Sequence, residues 1–240
     1  MSIRIPKALR KSPLISVSFE FRFEGVEPYN DLFASKIAAA AACGKFDQVT
    51  RLPINQIPEL VRGSQMAFEP IFGFKYSGAD ILVGSKVAVV RTPLYNGWKN
   101  FSEIVLEVAN RVRPYVVKFT RIGFRSIDFY EGRHIDDDLN LSVSTSIGGS
   151  KESLQRENCS FAITYIDGDN RVRLNYANDA SVIDNKKDVK KGSVVDVDAF
   201  CENPKTDVNE VITTIHDLGK KVFFESLKEN FIKTMEPVYD

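Results

Sequence analysis

Imidazole and carboxylate groups come together at one place in this sequence, His134-Ile-Asp136-Asp137-Asp138. This combination could bind a hard metal ion or perform acid/base chemistry, since Mg²⁺ and Ca²⁺ prefer oxygen ligands and histidine titrates near neutral pH. The chain has no second ligand cluster with a matching spacing, so a solvated turn between two strands is the favoured interpretation. A metal-dependent hydrolase that uses His134, Asp136, Asp137 and Asp138 is one alternative function.

The other histidine and the cysteines show no catalytic pattern. His216 lies on one flank of a predicted helix, which favours a packed or half-exposed histidine over a catalytic base. Cys43, Cys159 and Cys201 are odd in number and far apart, unlike a disulfide framework, a zinc site or a cysteine nucleophile with its histidine. The chain also lacks the GxSxG, P-loop and dinucleotide-binding motifs. We therefore expect no cofactor and favour a function that is not enzymatic.

Two arginines form the most suggestive binding feature. Arg121 and Arg125 are four residues apart in a predicted strand, so they point to the same face. A guanidinium can bind a carboxylate or another anion through two parallel hydrogen bonds, which makes an anion site conceivable. The favoured alternative is internal ion pairing, for example with Glu20 or Asp128, because acidic and basic residues are equally numerous. Gly123 leaves room between the arginines for a group to approach the backbone.

These arginines belong to a distinctive passage that reads Thr92-Pro-Leu-Tyr-Asn-Gly-Trp98 and, after a helical stretch, Arg121-Ile-Gly-Phe-Arg-Ser-Ile-Asp-Phe-Tyr130. Together with Lys11-Ser-Pro-Leu-Ile-Ser-Val-Ser-Phe-Glu-Phe-Arg-Phe23 and Ile81-Leu-Val-Gly84, it resembles a sporadically distributed, uncharacterised prokaryotic family of similar length. The resemblance is best over the first half of the chain. It implies a family without implying an activity, and the sporadic distribution implies an accessory module, such as a defence-type or immunity-like partner.

The same passage supplies further candidate binding residues. A tryptophan directly before a helix usually anchors a core, but tryptophan is also a frequent interface hot spot. The candidate binding residues are Glu20, Arg22, Tyr95, Trp98, Arg121 and Arg125.

Composition limits the classes of protein to consider. A chain of 240 residues with 43% hydrophobic residues can bury a real core in one large or two small domains. Lys plus Arg and Asp plus Glu both number 32, so general nucleic-acid binding is disfavoured. The N-terminal residues lack the apolar region of a signal peptide, and the apolar run 38–43 is shorter than the roughly 20 residues that span a bilayer. We therefore expect a cytoplasmic protein without a membrane partner.

Hydrophobic periodicity predicts an α+β protein of two similar halves, residues 1–115 and 116–240, each with largely antiparallel strands covered by an amphipathic helix. The predicted elements of the first half are a strand over 17–23, a helix over 31–46, a connection with a short helical turn over 52–65 and an antiparallel meander over 72–91. A helix follows with Asn100 as N-cap and Glu103 completing a capping box. Its predicted buried face consists of Trp98, Phe101, Val105, Val108 and Val112.

The second half repeats this order of elements. Its predicted strands cover 116–130, 139–147, 160–166, 171–177 and 193–201, with a hairpin turn at 167–170. The last helix begins at Asp207 with Glu210 in a capping box, runs to about Lys233 and buries Val211, Ile215, Leu218 and Val222. Two starting strands end alike, at 23–25 and 130–132. We expect a topological repeat that forms two domains or one compact unit.

The leading functional hypothesis is a non-enzymatic protein-interaction module with an unidentified protein partner, because two sheet-and-helix halves offer extended surface. Self-association into a homo-oligomer also stays open. The alternative is a small-ligand or anion-binding domain with a pocket between sheet and helix, lined by Arg121, Arg125 and Tyr95.

Overall fold

The computed structural model describes residues 4–27, 30–43, 49–57, 62, 66–140, 158–183 and 187–239. The strands in this part of the chain are β1 (Ala8–Leu9), β2 (Leu14–Gly25), β3 (Thr50–Arg51), β4 (Phe72–Tyr76), β5 (Ala79–Val83), β6 (Val87–Thr92), β7 (Val116–Glu131), β8 (Ser160–Asp167), β9 (Asn170–Ile183), β10 (Val189–Glu202) and β11 (Pro237–Val238). The α-helices are α1 (Asp31–Ala41), α2 (Trp98–Val112), α3 (Val208–Glu225) and α4 (Glu229–Thr234). Most of the strand predicted over 139–147 lies outside the described residues.

Nine of the strands in the described ranges form one sheet in the order β3-β4-β5-β6-β2-β7-β10-β9-β8, and every neighbouring pair is antiparallel. The short strands β1 and β11 pair separately. The two long central strands, β2 and β7, come from the two predicted halves and pair along most of β2. The two predicted halves, residues 1–115 and 116–240, therefore contribute neighbouring strands to one shared sheet. The prediction of an α+β protein with an antiparallel sheet is confirmed.

Side-chain alternation gives the sheet one apolar and one polar face. In β2, Phe19, Phe21 and Phe23 are fully buried, whereas Glu20 and Arg22 between them point to the opposite face. Helices α1 and α2 cover the apolar face over β4, β5 and β6, and α3 covers it over β7, β10 and β9. The core therefore lies between one face of the sheet and a layer of three helices, and the charged side chains gather on the other face.

Helix α2 confirms most of its predicted buried face and corrects its predicted start. Phe101, Val105, Val108 and Val112 are buried along one side of the helix, as their spacing predicts, whereas Trp98 is only half-buried. The N-cap is Gly97 rather than Asn100, and Gly97 has φ of 94° with no side chain to cap the helix. The capping-box prediction is wrong because this left-handed glycine conformation lets the helix begin before Asn100.

Helix α1 begins as predicted, with the side chain of Asn30 accepting a 2.6 Å hydrogen bond from the backbone N–H of Phe33. The helix ends at Ala41, and Phe46, placed in the helix by the sequence prediction, lies outside the described residues. The predicted short turn after the helix is a 3₁₀ turn at Pro53–Gln56.

Helix α3 has the predicted N-cap, Asp207, whose carboxylate accepts a 2.8 Å hydrogen bond from the N–H of Asn209. The prediction that this helix runs to about Lys233 is wrong. The helix stops at Glu225, the next turn buries Leu227, and α4 follows as a separate helix. No helix in the described ranges is long and apolar enough to cross a membrane.

The buried face of α3 also differs from its prediction, since Leu218 and Val222 are only half-buried. The residues that α3 buries are Val211, Ile212, Ile215, His216, Gly219, Phe223 and Phe224. The buried face therefore includes a histidine, and α3 approaches the sheet closely at Gly219.

Candidate functional site

Arg121 lies on the polar face of the sheet and is fully engaged by carboxylates of neighbouring strands. Its Nη1 donates a 2.6 Å hydrogen bond to Glu20 on β2, and its Nη2 donates to both oxygens of Asp198 on β10 at 2.8 and 2.7 Å. A Cβ at Gly123 would lie 2.5 Å from this Nη1 atom. The group that occupies the space over Gly123 is therefore the guanidinium of Arg121 itself.

Arg125, four residues further along β7, is held in a similar way. It donates from Nε and Nη2 to the two oxygens of Asp196 at 2.8 and 2.9 Å, and Asn175 donates to the same carboxylate at 3.1 Å. Arg22 donates from Nε to Glu20 at 2.7 Å, which ties β2 into the network. The geometry thus favours internal ion pairing of both arginines over an anion site, and Glu20 and Arg22 belong to the same network.

Asp128, suggested from the sequence as a partner of the arginines, does not pair with them. Residues 125 and 128 differ in parity along the continuous strand β7, so their side chains leave opposite faces of the sheet. The partners that do pair, Asp196 and Asp198, lie on β10 beside β7. The suggested Asp128 pairing is wrong for this reason.

The candidate metal ligands predicted from the sequence, His134 and Asp136 to Asp138, lie after the end of β7. Asp136, Asp137 and Asp138 form a 3₁₀ turn, and Asp136 accepts a 3.3 Å hydrogen bond from the side chain of Asn178. Within the described ranges, no three His, Cys, Asp or Glu side chains are grouped so that they could hold a metal ion. His134 and these aspartates therefore have no common ligand position in that part of the chain.

The helix-covered side of the sheet contains a cavity of about 380 Å³. It lies between β2, β7, the first residues of α2, the middle of α3 and the segment that includes β1. Its apolar walls include Leu14, Val17, Phe124, Phe223 and Phe224. The polar and charged side chains that line it include Lys7, Tyr95, Ser126, Asp128, His216 and Lys220. Cavities of roughly 300–1,000 Å³ with mostly apolar walls and a few polar groups are typical small-molecule sites.

Asp128 is the most unusual residue of this cavity. Its neighbours across the strands, Leu14 and Val195, are apolar, and only 4% of Asp128 is exposed. Its carboxyl group makes no hydrogen bond or ion pair within the described part of the chain. Burial raises the pKa of Asp128 to about 8, and the charge of Asp196 acts in the same direction. At pH 7 the carboxyl is therefore mostly protonated and can donate a hydrogen bond.

His216 lines the same cavity as Asp128 and stacks on Trp98. The two rings are nearly parallel, with centroids 3.7 Å apart and 9° between planes, and Phe124 meets His216 edge-on at 5.2 Å. Burial lowers the pKa of His216, and Lys220 lowers it further, whereas Asp217 opposes the shift. The Nδ1 atom lies 2.8 Å from Asp217, whose carboxylate can only accept, so Nδ1 carries the proton of the neutral ring. The Nε2 atom of the ring is then an acceptor.

Tyr95 also lines the cavity. Its ring packs edge-on against Phe101 at 5.9 Å, and burial raises the pKa of its hydroxyl to about 12. Of the six binding residues predicted from the sequence, Tyr95 and Trp98 line the cavity, and the other four form the ion network on the opposite face. The sequence prediction therefore mixed residues of two separate surfaces.

Two cavity residues were missed as site residues, although the sequence held a signal for one of them. Even-numbered positions of β7, from Ile122 and Phe124 onward, face the core, so the same alternation places Asp128 on the core side. A charged residue at an inward position is the unusual feature that marks a candidate site. His216 gave no comparable signal, because its stacking partner comes from a distant part of the sequence.

The cavity thus combines an aromatic wall with two hydrogen-bonding groups, Asp128 and His216, that are neutral at pH 7. These groups can orient a bound molecule and can exchange a proton with it. Comparison with known proteins gave no matching family model and no matching curated relative.

Proposed function

We propose that this protein binds a small organic molecule in the cavity between the sheet and helices α2 and α3. The observation that carries this proposal is the side chain of Asp128, which is 4% exposed, lines the cavity and has no partner in the described part of the chain. Leaving a buried polar group without a hydrogen bond costs about 1–3 kcal/mol. A ligand that bonds to this carboxyl would offset that cost, and the apolar walls would supply the remaining contact area.

The proposed site differs from the binding pocket expected from the sequence. That pocket was to include Arg121, Arg125 and Tyr95, and of these only Tyr95 lines the cavity. The arginines support the function indirectly, because their ion pairs join β2, β7 and β10 beneath the cavity floor. Rigid support of this kind keeps the polar groups of a binding site in position.

A screen by thermal shift with a second optical readout tests the proposal. A ligand that binds only the native state raises its stability by mass action. Trp98 is the single tryptophan of the chain and lines the cavity, so its fluorescence reports on occupancy of this site. We expect stabilising small molecules to change Trp98 emission. Stabilisers that leave the emission unchanged, or a broad library without a stabiliser, would contradict the proposal.

Two variants locate the binding site. Ser126→Leu adds bulk to a half-buried residue that lines the cavity and should weaken binding of any ligand found in the screen. Ser181→Leu makes the same change at an exposed residue of β9 that does not line the cavity, so it is the matched control and should bind normally. Equal loss of binding in both variants would indicate a general loss of structure instead.

We also propose that the two halves of the chain form the topological repeat that the sequence predicts. Three features of the fold support this repeat. In each half the starting strand pairs with the last strand of a three-stranded meander, β2 with β6 and β7 with β10. The meanders are β4-β5-β6 and β8-β9-β10, and a helix, α2 or α3, follows each. Superposition of the two halves tests the repeat: α2 and α3 should coincide when the strands are matched, and failure to coincide would contradict it.

Protein interaction is the second candidate function, and one exposed feature favours it. Ile183 and Val189 face each other across the end of the β9–β10 hairpin and are 70% and 64% exposed. Exposed apolar side chains at such a tip suit contact with another chain. The double variant Ile183→Glu, Val189→Glu should lose a co-purifying partner or a homo-oligomer seen by size-exclusion chromatography, with no fall in Tm. Retention of the complex by this variant would contradict an interface at the tip.

A further inference from the structure

We infer that the ligand of this cavity is an anion with an apolar body, whose head group, a carboxylate or a similar group, lies at the N-terminus of α2 and accepts a hydrogen bond from Asp128. This inference rests on the proposed binding function and specifies the class of ligand.

The first observation is the N-terminus of α2. Asn96, Gly97 and Trp98 line the cavity, so the first turn of this fifteen-residue helix borders it. Gly97 supplies no side-chain cap, and the first turn contains no acidic residue. No side-chain oxygen therefore caps the N–H groups of that turn, which lie at the positive end of the helix dipole. An anionic head group can supply such an oxygen.

The second, independent observation is the carboxyl group of Asp128. It borders the same cavity, is almost fully buried and has no partner in the described part of the chain. A protonated carboxyl donates a short, strong hydrogen bond to an anionic oxygen, whereas an ionised carboxylate repels it. The raised pKa of Asp128 keeps the donor form populated at neutral pH. An unpartnered donor and an uncapped helix N-terminus thus border one space.

The charges around Asp128 favour an anion over a cation. The titratable or charged groups that line the cavity with it, or act on it or on its neighbour Tyr130, are Lys7, Tyr95, Tyr130, Asp138, Asp196, His216 and Lys220. Asp196 is on the opposite sheet face and is paired with Arg125. Among the described side chains that line the cavity, the only acid is Asp128, which is mostly protonated at pH 7. A cationic ligand would therefore meet no ionised carboxylate among these lining side chains.

The walls determine the rest of the ligand. Trp98, Phe124, Phe223 and Phe224 present aromatic surface to the cavity, and about 380 Å³ accommodates one ring with a short chain. Phenylbutyrate is a probe of this shape. Phenylbutylamine and phenylbutyramide share its body and replace the anionic head group with a cationic and a neutral one.

Affinities of the three probes, measured by Trp98 fluorescence from about pH 6 to pH 10, test the inference. Phenylbutyrate should bind most tightly. Its Kd should be constant below about pH 7 and rise about tenfold per unit well above pH 8, because binding needs the protonated form of Asp128. Asp128→Asn keeps a neutral donor of the same shape, so it should retain binding and lose this pH dependence.

A second variant tests the helix N-terminus. Asn96→Asp places a negative charge at the start of α2 without a change of size and should weaken phenylbutyrate binding several-fold while sparing phenylbutyramide. Asn209→Asp is the matched control, because it adds the same charge to the exposed first turn of α3, away from the cavity. This control should bind phenylbutyrate normally.

The outcomes separate this inference from the proposed function. Tighter binding of phenylbutylamine, with affinity rising above about pH 8, would overturn the anion assignment and leave the cavity as a binding site. Phenylbutyrate binding that ignores both pH and Asn96→Asp would also overturn it. If none of the three probes changes Trp98 emission or Tm at millimolar concentration, the inference fails, and the proposed function fails with it only if the broad library also yields no stabiliser.

Discussion

Asp128 should make the protein less stable as pH rises, which is the reverse of the usual behaviour of a carboxylate. Burial raises its pKa in the folded state from 3.8 to about 8. Between these values the folded state binds a proton that the unfolded state has released. The free energy of unfolding therefore falls by about 1.4 kcal/mol per pH unit across this window. The full effect, present below about pH 4 and lost above about pH 8, is roughly 5–6 kcal/mol.

Asp128→Asn isolates this contribution from those of other groups. Urea melts of the native protein and this variant, at one-unit steps from about pH 5 to pH 9, give the difference in unfolding free energy at each pH. We expect the difference to change by about 1.4 kcal/mol per unit up to about pH 7 and to level off above about pH 8, where the variant is the more stable protein. Asp179→Asn, which removes an exposed carboxylate from β9, controls for the loss of one acidic residue.

A difference that does not vary with pH would refute this reasoning. It would mean that the carboxyl of Asp128 is ionised in the folded protein at neutral pH, with a counter-charge or hydrogen bonds that stabilise it. The cavity would then present a negative charge, and the assignment of an anionic ligand would lose its second support.

Three further predictions follow from packing and ion pairs. Arg121→Ala leaves half-buried Asp198 without its bidentate partner and Glu20 with Arg22 alone, and it should cost about 2–4 kcal/mol in urea melts. Arg125→Ala, with a side chain 51% exposed, should cost less than about 1 kcal/mol, and equal losses in the two variants would contradict the network. Gly219→Ala brings a Cβ within 3.2 Å of Ala199 and should lower stability by about 1–3 kcal/mol despite a better helix propensity, and a gain in Tm would contradict close helix–sheet contact. Phe101→Ala should lower the free energy of unfolding by about 3–5 kcal/mol, since Phe101 is 3% exposed. A loss below about 1 kcal/mol would contradict the burial of Phe101 on the core side of α2.

Local patterns predicted much of this fold, because their periods are set by backbone geometry. The alternation of phenylalanines in β2 and the three- and four-residue steps of α2 each specify which side chains are buried. The hairpin between β8 and β9 was equally clear from its Asp-Gly turn. These predictions needed no knowledge of other segments.

The errors arose where a distant contact or an unusual backbone angle decided the outcome. The positive φ of Gly97 moved the start of α2, and a turn that buries Leu227 separates α3 from α4. Strand order could not be derived, so the pairing of Arg121 with Asp198 on β10 was out of reach. The stack of Trp98 on His216 depends in turn on how α2 and α3 pack over the sheet.

Asp128 is the exception, because local reasoning could have placed it in the cavity. Its position in β7 fixes the face to which it points, and the arginines of the same strand point to the other face. Charge alone suggested a pairing that this alternation excludes.

Intermolecular NOEs, measured on the protein with its best stabilising ligand, would locate that ligand directly. We expect NOEs from ligand protons to the rings of Trp98, Phe124 and Phe223, which line the cavity from three different elements. We also expect a change in the ring signals of His216, which stacks on Trp98. NOEs to the strands on the polar face around Arg125, or a stabilising ligand without any NOE to these cavity rings, would contradict binding in the cavity.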